Sequence, residues 1–236
     1  MNIIKRIDRI ISEQTNYSRK EIKKLISRGL IYVNNKQVKK TECKFDEKDI
    51  SLKIGAEEID IKNHIYLILN KPKGFVSTTD VIKENSVLNL LPEKYKKRNL
   101  FPAGRLDKDT TGLMIITDDG QFAHNILAPN KHVKQVDEVK IDIPVSSIMK
   151  EEFEKGIELN DGVCKPAILN IKEKYTAEVI LSEGRYHQIK RLFGCYGAKV
   201  IELNRICIGN LYLPENLKIG DVRELTENEL LMIQEK

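Results

Sequence analysis

Gly104-Arg105-Leu106-Asp107-Lys108-Asp109-Thr110-Thr111-Gly112-Leu113 sets charged residues and adjacent threonines between glycines, just ahead of an apolar run at 113–117 that reads as a buried strand. The glycines favour a loop, and Asp118-Asp119-Gly120 after the strand is a turn signal. Taken alone, Gly104-Arg105-Leu106-Asp107 reads first as a surface ion pair in a glycine-bounded loop and only second as a reactive site. Its surroundings carry further signals. Upstream, residues 65–69 form another buried-strand run, closed by Asn70-Lys71-Pro72-Lys73-Gly74, where proline and glycine end the ladder. Downstream, helical spacing predicts helices over 121–127, 147–155 and 187–196, the last stopped at Gly197. Thr226-Glu227-Asn228-Glu229 opens a closing helix with a capping-box pattern.

The front of the chain is patterned differently. Ile3, Ile7, Ile10 and Ile11 recur at helical spacing, which predicts a first helix over 3–13. Ser18-Arg19-Lys20-Glu21 is a capping box for a second helix, with Ile22, Leu25 and Ile26 as its apolar stripe and Gly29 as its stop. Lys20, Lys23 and Lys24 lie off that stripe. Residues 30–33 and 36–38 flank Asn34-Asn35, side chains suited to positive φ, and read as a hairpin; short strands follow at 49–54 and 57–61. Between Lys5 and Lys40 the bases Lys5, Arg6, Arg9, Arg19, Lys20, Lys23, Lys24, Arg28, Lys36, Lys39 and Lys40 face only Asp8, Glu13 and Glu21. That excess makes the segment a candidate phosphate-binding surface.

At 236 residues and 41% hydrophobic content the chain can bury a sizeable core, as one large domain or as a small domain joined to a medium one. Its formal net charge of +5 is a weaker pointer to an anionic partner than the local cluster is. No stretch nears the roughly 18 apolar residues of a membrane span, and the opening residues carry charges where a signal peptide needs an apolar core. We therefore expect no membrane association and a cytoplasmic location. Cys43, Cys164, Cys195 and Cys207, like His64, His124, His132 and His187, are scattered without ligand spacing, so no metal is assigned.

In order, Arg6-Ile7-Asp8, Ser18-Arg19-Lys20-Glu21, Ile26-Ser27-Arg28-Gly29 and Val33-Asn34-Asn35-Lys36 resemble the S4 RNA-binding domain, over about residues 3–55. The resemblance implies that Arg19, Lys20, Lys23, Lys24 and Arg28 face structured RNA, with little sequence readout. The stretch 104–113 with Thr117-Asp118-Asp119-Gly120, the earlier Leu69-Asn70-Lys71-Pro72-Lys73-Gly74 and the later Glu183-Gly184-Arg185-Tyr186-His187-Gln188-Ile189-Lys190-Arg191 resemble the small-subunit ribosomal RNA pseudouridine synthase A family. This implies an α+β protein: an S4 domain over 1–60, a linker near 56–64, and a catalytic domain over 61–236 with a mixed, mostly antiparallel sheet and flanking helices. It also implies isomerisation of a uridine in small-subunit ribosomal RNA without a cofactor, the substrate being a small-subunit assembly particle and the enzyme a monomer. A large-subunit target, and an RNA-binding relative without catalysis, are the alternatives.

By the same resemblance Asp107 is the catalytic carboxylate, as nucleophile or as charge stabiliser. Lys190 is its cation, with Arg191 as the fallback. Arg105 contacts the RNA as the target base leaves its stack, and Arg185 and His187 are weaker candidates. One position departs from the family, which has a K-x-Y pattern in the strand after H-V. In His132-Val133-Lys134-Gln135-Val136-Asp137-Glu138-Val139, Gln135 stands at the lysine and Asp137 at the tyrosine that stacks on the uracil. Asp137 is thus a substrate-pocket residue with no aromatic face, and its charge opposes ionisation of Asp107.

Overall fold

The computed structural model describes residues 4–47, 50–82, 85–128 and 133–234. Ile3, Asp49 and His132, used in the sequence reading, lie outside the described residues. The chain divides into two compact units: Met1–Ile65 with Leu91–Leu100, and Tyr66–Leu90 with Phe101–Lys236. The short segment joins the first unit through hydrogen bonds. Arg98 donates to the carbonyls of Lys62 and Asn63 at 3.0 and 2.8 Å, and Lys97 to those of Asn16 and Tyr17 at 2.6 and 3.1 Å.

The first unit runs β1 (Ile4–Arg6), α1 (Ile7–Gln14), α2 (Arg19–Ser27), β2 (Ile31–Val33), β3 (Lys36–Gln37), β4 (Lys44–Asp46), β5 (Leu52–Ile54) and β6 (Glu57–Ile59). The helix expected over 3–13 is in fact a strand followed by a helix. Ile7, Ile10 and Ile11 are fully buried and sustain the helix, whereas Ile4 is 64% exposed and buries nothing by continuing it. Residues 4–6 instead pair with β4, a partner about forty residues away that periodicity does not reveal. The capping box of α2 is present: the Glu21 amide donates to Ser18 Oγ at 3.3 Å and the Ser18 amide to Glu21 at 2.7 Å. Ile22 and Ile26 of α2 pack with Ile7, Ile11, Ile31 and Leu52. Asn34 and Asn35 take φ of 51° and 61°, the geometry of a type I′ hairpin between β2 and β3.

The second unit continues with β7 (Tyr66–Lys71), β8 (Phe101–Pro102), β9 (Thr111–Thr117), α3 (Gly120–Leu127), β10 (Gln135–Ile141), α4 (Ser147–Lys155), β11 (Glu158–Leu159), β12 (Gly162–Val163), β13 (Ile168–Glu173), β14 (Thr176–Leu181), α5 (Gln188–Gly194), β15 (Val200–Ile208), β16 (Leu211–Tyr212), β17 (Val222–Glu224) and α6 (Glu227–Gln234). The main sheet runs β13-β14-β10-β15-β9-β7-β17, with β8 on β9 and β16 on β15. Among the described strands only β9 and β15 pair in parallel, so the expected mixed, mostly antiparallel sheet is found. Phe153 of α4 and Leu192 and Phe193 of α5 form one core with Val139, Leu169 and Val179. Phe122 and Ile126 of α3 and Ile233 of α6 form another with Ile68, Leu113 and Ile115. No helix among the described residues is long and apolar enough to cross a membrane.

Gly112 permits the parallel junction. Its φ is +102°, and a Cβ there would lie 2.2 Å from the Arg205 carbonyl oxygen. Only glycine lets β9 approach β15 this closely, which brings the loop before β9 alongside Arg205.

Candidate active site

The loop of residues 104–110 has no regular structure and is fixed by bonds from elsewhere in the second unit. Lys71, at the end of the apolar strand β7, is wholly buried. Its ammonium donates to the carbonyls of Thr110, Asp107, Pro72 and Lys108 at 2.7, 3.0, 3.1 and 3.3 Å. Burial pushes this amine down to about 8, against the pull of Asp109 and Asp107. Ser77 Oγ accepts from the Leu106 amide at 2.9 Å and donates to the Leu106 carbonyl at 2.8 Å. The Gly74 amide donates to the Lys108 carbonyl at 2.8 Å. The motif Asn70-Lys71-Pro72-Lys73-Gly74 therefore supports the loop.

Asp107 is carried on this braced loop, its side chain 25% exposed. Lys190 Nζ, from α5, stands 3.0 Å from one carboxylate oxygen, and His187 Nε2 is 3.4 Å from the other. Lys190 also bonds Asp109 at 2.8 Å. Burial alone would lower the Lys190 amine, but its hydrogen bonds to Asp109 and Asp107 outweigh that and raise it. The hydrogen bond from Lys190 in turn holds Asp109 below its usual range. His187 takes the left-handed conformation, φ 50°, immediately before α5. That strain turns its ring toward Asp107, with Tyr186 stacked on it at a centroid distance of 3.8 Å.

These groups border a cleft of about 590 Å³ within the second unit, lined also by Arg105, Thr110, Tyr186, Leu203 and the pair Asp137 and Arg205. Asp137 is 0% exposed, and its oxygens accept from Arg205 Nε at 3.0 Å and Nη2 at 3.1 Å. The charge that the sequence set against Asp107 thus has its own bidentate counter-ion. Between Val136 and Asp137 the register with β15 shifts: Val136 faces Cys207 and Asp137 faces Arg205. Such a bulge re-aims a side chain, and it makes both Val136 and Asp137 buried. Thr110 Oγ1 is buried without a hydrogen-bond partner.

The remaining expected residues divide. Arg105 is exposed at the cleft. Arg185 borders the cleft but spends its guanidinium on the protein, bonding Glu183 at 3.1 Å and the carbonyls of Gly162 and Val163 at 2.9 and 2.5 Å. Arg191 pairs with Asp161 at 2.5 Å instead of with Asp107. In the first unit Arg19, Lys20, Lys23, Lys24 and Arg28 are all exposed on or just after α2. By contrast Lys5 of the same basic segment is tied to Glu47 and Glu13 at 2.6 and 2.8 Å. Arg205 and Lys71 were missed. Lys71 had a signal, a lone charge ending an apolar strand; Arg205 had none.

Sequence comparison matches residues 65–194 to the family described as RNA pseudouridylate synthase, and residues 5–50 to the S4 domain. An uncharacterized RNA pseudouridine synthase of Aquifex aeolicus is 40% identical over 229 residues, covering 95% of this chain and 94% of its own. The ribosomal small subunit pseudouridine synthase A of Escherichia coli is 36% identical over 231 residues, with 97% and 99% covered. A crystal structure described as a pseudouridylate synthase shares 33% identity, covers 97% of this chain and 99% of that one, and superposes with a TM-score of 0.69. The chain belongs to the RNA pseudouridylate synthase family and carries an S4 domain ahead of the region that defines it.

Proposed function

We propose that this protein converts a uridine of small-subunit ribosomal RNA to pseudouridine, with Asp107 as the catalytic carboxylate. The observation that carries the reading is the convergence of Lys190 Nζ and His187 Nε2, at 3.0 and 3.4 Å, on a carboxylate held by a braced loop in a cleft. Relatives named for the small ribosomal subunit favour that RNA over a large-subunit target.

The bond from uracil N1 to the ribose breaks, the base turns, and a bond from C5 to the same ribose carbon forms. C5 loses a proton and N1 ends with one, so the reaction balances without a co-reactant and calls for no cofactor. An ionised Asp107 either attacks the ribose carbon or stabilises the positive charge that develops there. Lys190 is the cation paired with that carboxylate. The target base must leave its stack, which costs roughly a few kcal/mol, and exposed Arg105 is placed to meet the displaced strand. Arg19, Lys20, Lys23, Lys24 and Arg28 grip phosphates. We assign residues 1–60 to this grip and 61–236 to the chemistry. We further propose that the protein acts as a cytoplasmic monomer on a small-subunit assembly particle.

The test is incubation of the purified protein with small-subunit ribosomal RNA, followed by nucleoside analysis and mapping of any pseudouridine. A single new site, absent with Asp107→Asn, is the expected result. No product would make the chain an RNA-binding relative without catalysis, and a mark confined to large-subunit RNA would reject the proposed substrate.

A further inference from the structure

One cleft-lining side chain keeps an unspent donor. Arg205 uses Nε and Nη2 on Asp137, at 3.0 and 3.1 Å, while Nη1 makes no hydrogen bond among the described residues. Arg205 lies at the parallel junction, where it pairs with Gly112. The Asp137 and Arg205 side chains are only 1% and 12% exposed. A buried ion pair is seldom a better filler than apolar side chains, so its place in a cleft wall needs a reason other than stability.

Resting on the pseudouridine synthase reading above, we propose that Arg205 recognises the target base as uracil. Its Nη1 donates to the carbonyl at C4 of the ring, and Asp137 is the positioning residue that fixes the guanidinium plane. A guanidinium only donates. It therefore suits the edge of uracil, which has carbonyls at both C2 and C4, and is mismatched to cytosine, whose C4 carries an amino donor. The fork geometry matters too, because a lysine could satisfy Asp137 but would leave nothing aimed at the base. This gives the acidic residue at position 137 a purpose in the cleft that stacking cannot.

Titrations of the full-length protein with uridine 5′-monophosphate and with cytidine 5′-monophosphate, followed by nuclear magnetic resonance, test it. The wild type should bind the uridine nucleotide on the order of tenfold more tightly or better. Arg205→Lys, which keeps the ion pair, should bring the two affinities together, and Asp137→Asn should narrow the gap; a merely structural defect would weaken both nucleotides alike. Equal binding or no binding of both by the wild type, which requires no variant to fold, would overturn the proposal. So would an unchanged preference in Arg205→Lys. Conversion of ribosomal RNA by the wild type is measured alongside. A protein that modifies RNA without preferring the uridine nucleotide sinks this inference alone, whereas one that prefers it yet forms no pseudouridine sinks the reading on which it rests.

Discussion

Asp107 faces a cleft and has Lys190 at 3.0 Å. Asp107→Asn is nearly isosteric and leaves Lys190 its bond to Asp109, so the fold should hold while product formation ceases. Lys190→Met should lower single-turnover conversion by at least about tenfold by leaving the carboxylate without its cation. A wild-type rate in either variant would remove that residue from the chemistry. Asp137 changes meaning once its partner is known. From the sequence alone, a tyrosine there should help the reaction by stacking. In the structure Asp137→Tyr leaves the Arg205 guanidinium buried and unpaired, and breaking such a pair destabilises by about 3–5 kcal/mol. We expect a melting temperature lower by roughly 10 °C, and an unchanged melting curve would show the pair to be dispensable. Asp107 and Lys190 were legible because each lies in a long local motif. Arg205 was not, because it meets Asp137 from 68 residues away through a register shift.

Elements whose ends are set by neighbouring residues were read most closely. The capping boxes of α2 and α6 both form, the second through the Glu229 amide donating to Thr226 Oγ1 at 3.2 Å and the Thr226 amide to Glu229 at 2.9 Å. Arg223 bonds the same carboxylate at 2.7 Å and, with the Thr226 contacts, holds Glu229 down to about 2 from an ordinary 4.5. Because the folded value is the lower one, the ionised carboxylate stabilises the fold above about pH 4.5 and that contribution is lost as pH falls toward 2. Acid titration of stability should therefore be shallower in Glu229→Gln over this window, and identical profiles would contradict the assignment. The loop before β9 is the opposite case, an element held from outside. Lys71→Met would strip the donor from a set of carbonyls, each worth about 1–3 kcal/mol if left buried and unsatisfied. Activity should fall together with thermal stability, and a variant as stable and as active as wild type would show that the loop holds itself. The helix expected over 3–13 failed in its first residues for a related reason, since β1 is made by its pairing with β4.

For the molecule as a whole, the two units carry different work in the proposal, and binding should be separable from chemistry. Replacing Lys20, Lys23 and Lys24 with glutamate should weaken RNA binding and flatten the dependence of log K on log salt by roughly 2–3. At saturating RNA the conversion rate should survive; a salt slope that does not move would take the face of α2 out of the RNA interface. The amino-acid sequence by itself determined the S4 domain and the synthase region, the α+β class, the order of most elements and the pairing of Asp107 with Lys190. The elements depend on local periodicity and on caps written over short spans, whereas the domains and the pairing of Asp107 with Lys190 were read through the resemblance that contiguous motifs bear to known families. Tertiary structure alone decided that Arg205 neutralises Asp137 and that Lys71 braces the Asp107 loop. It alone left the Arg205 Nη1 group without a hydrogen bond among the described residues. These depend on which strands lie side by side, and the close parallel approach of β9 to β15 at Gly112 is set by the packing of the whole sheet and has no trace in either strand's own pattern.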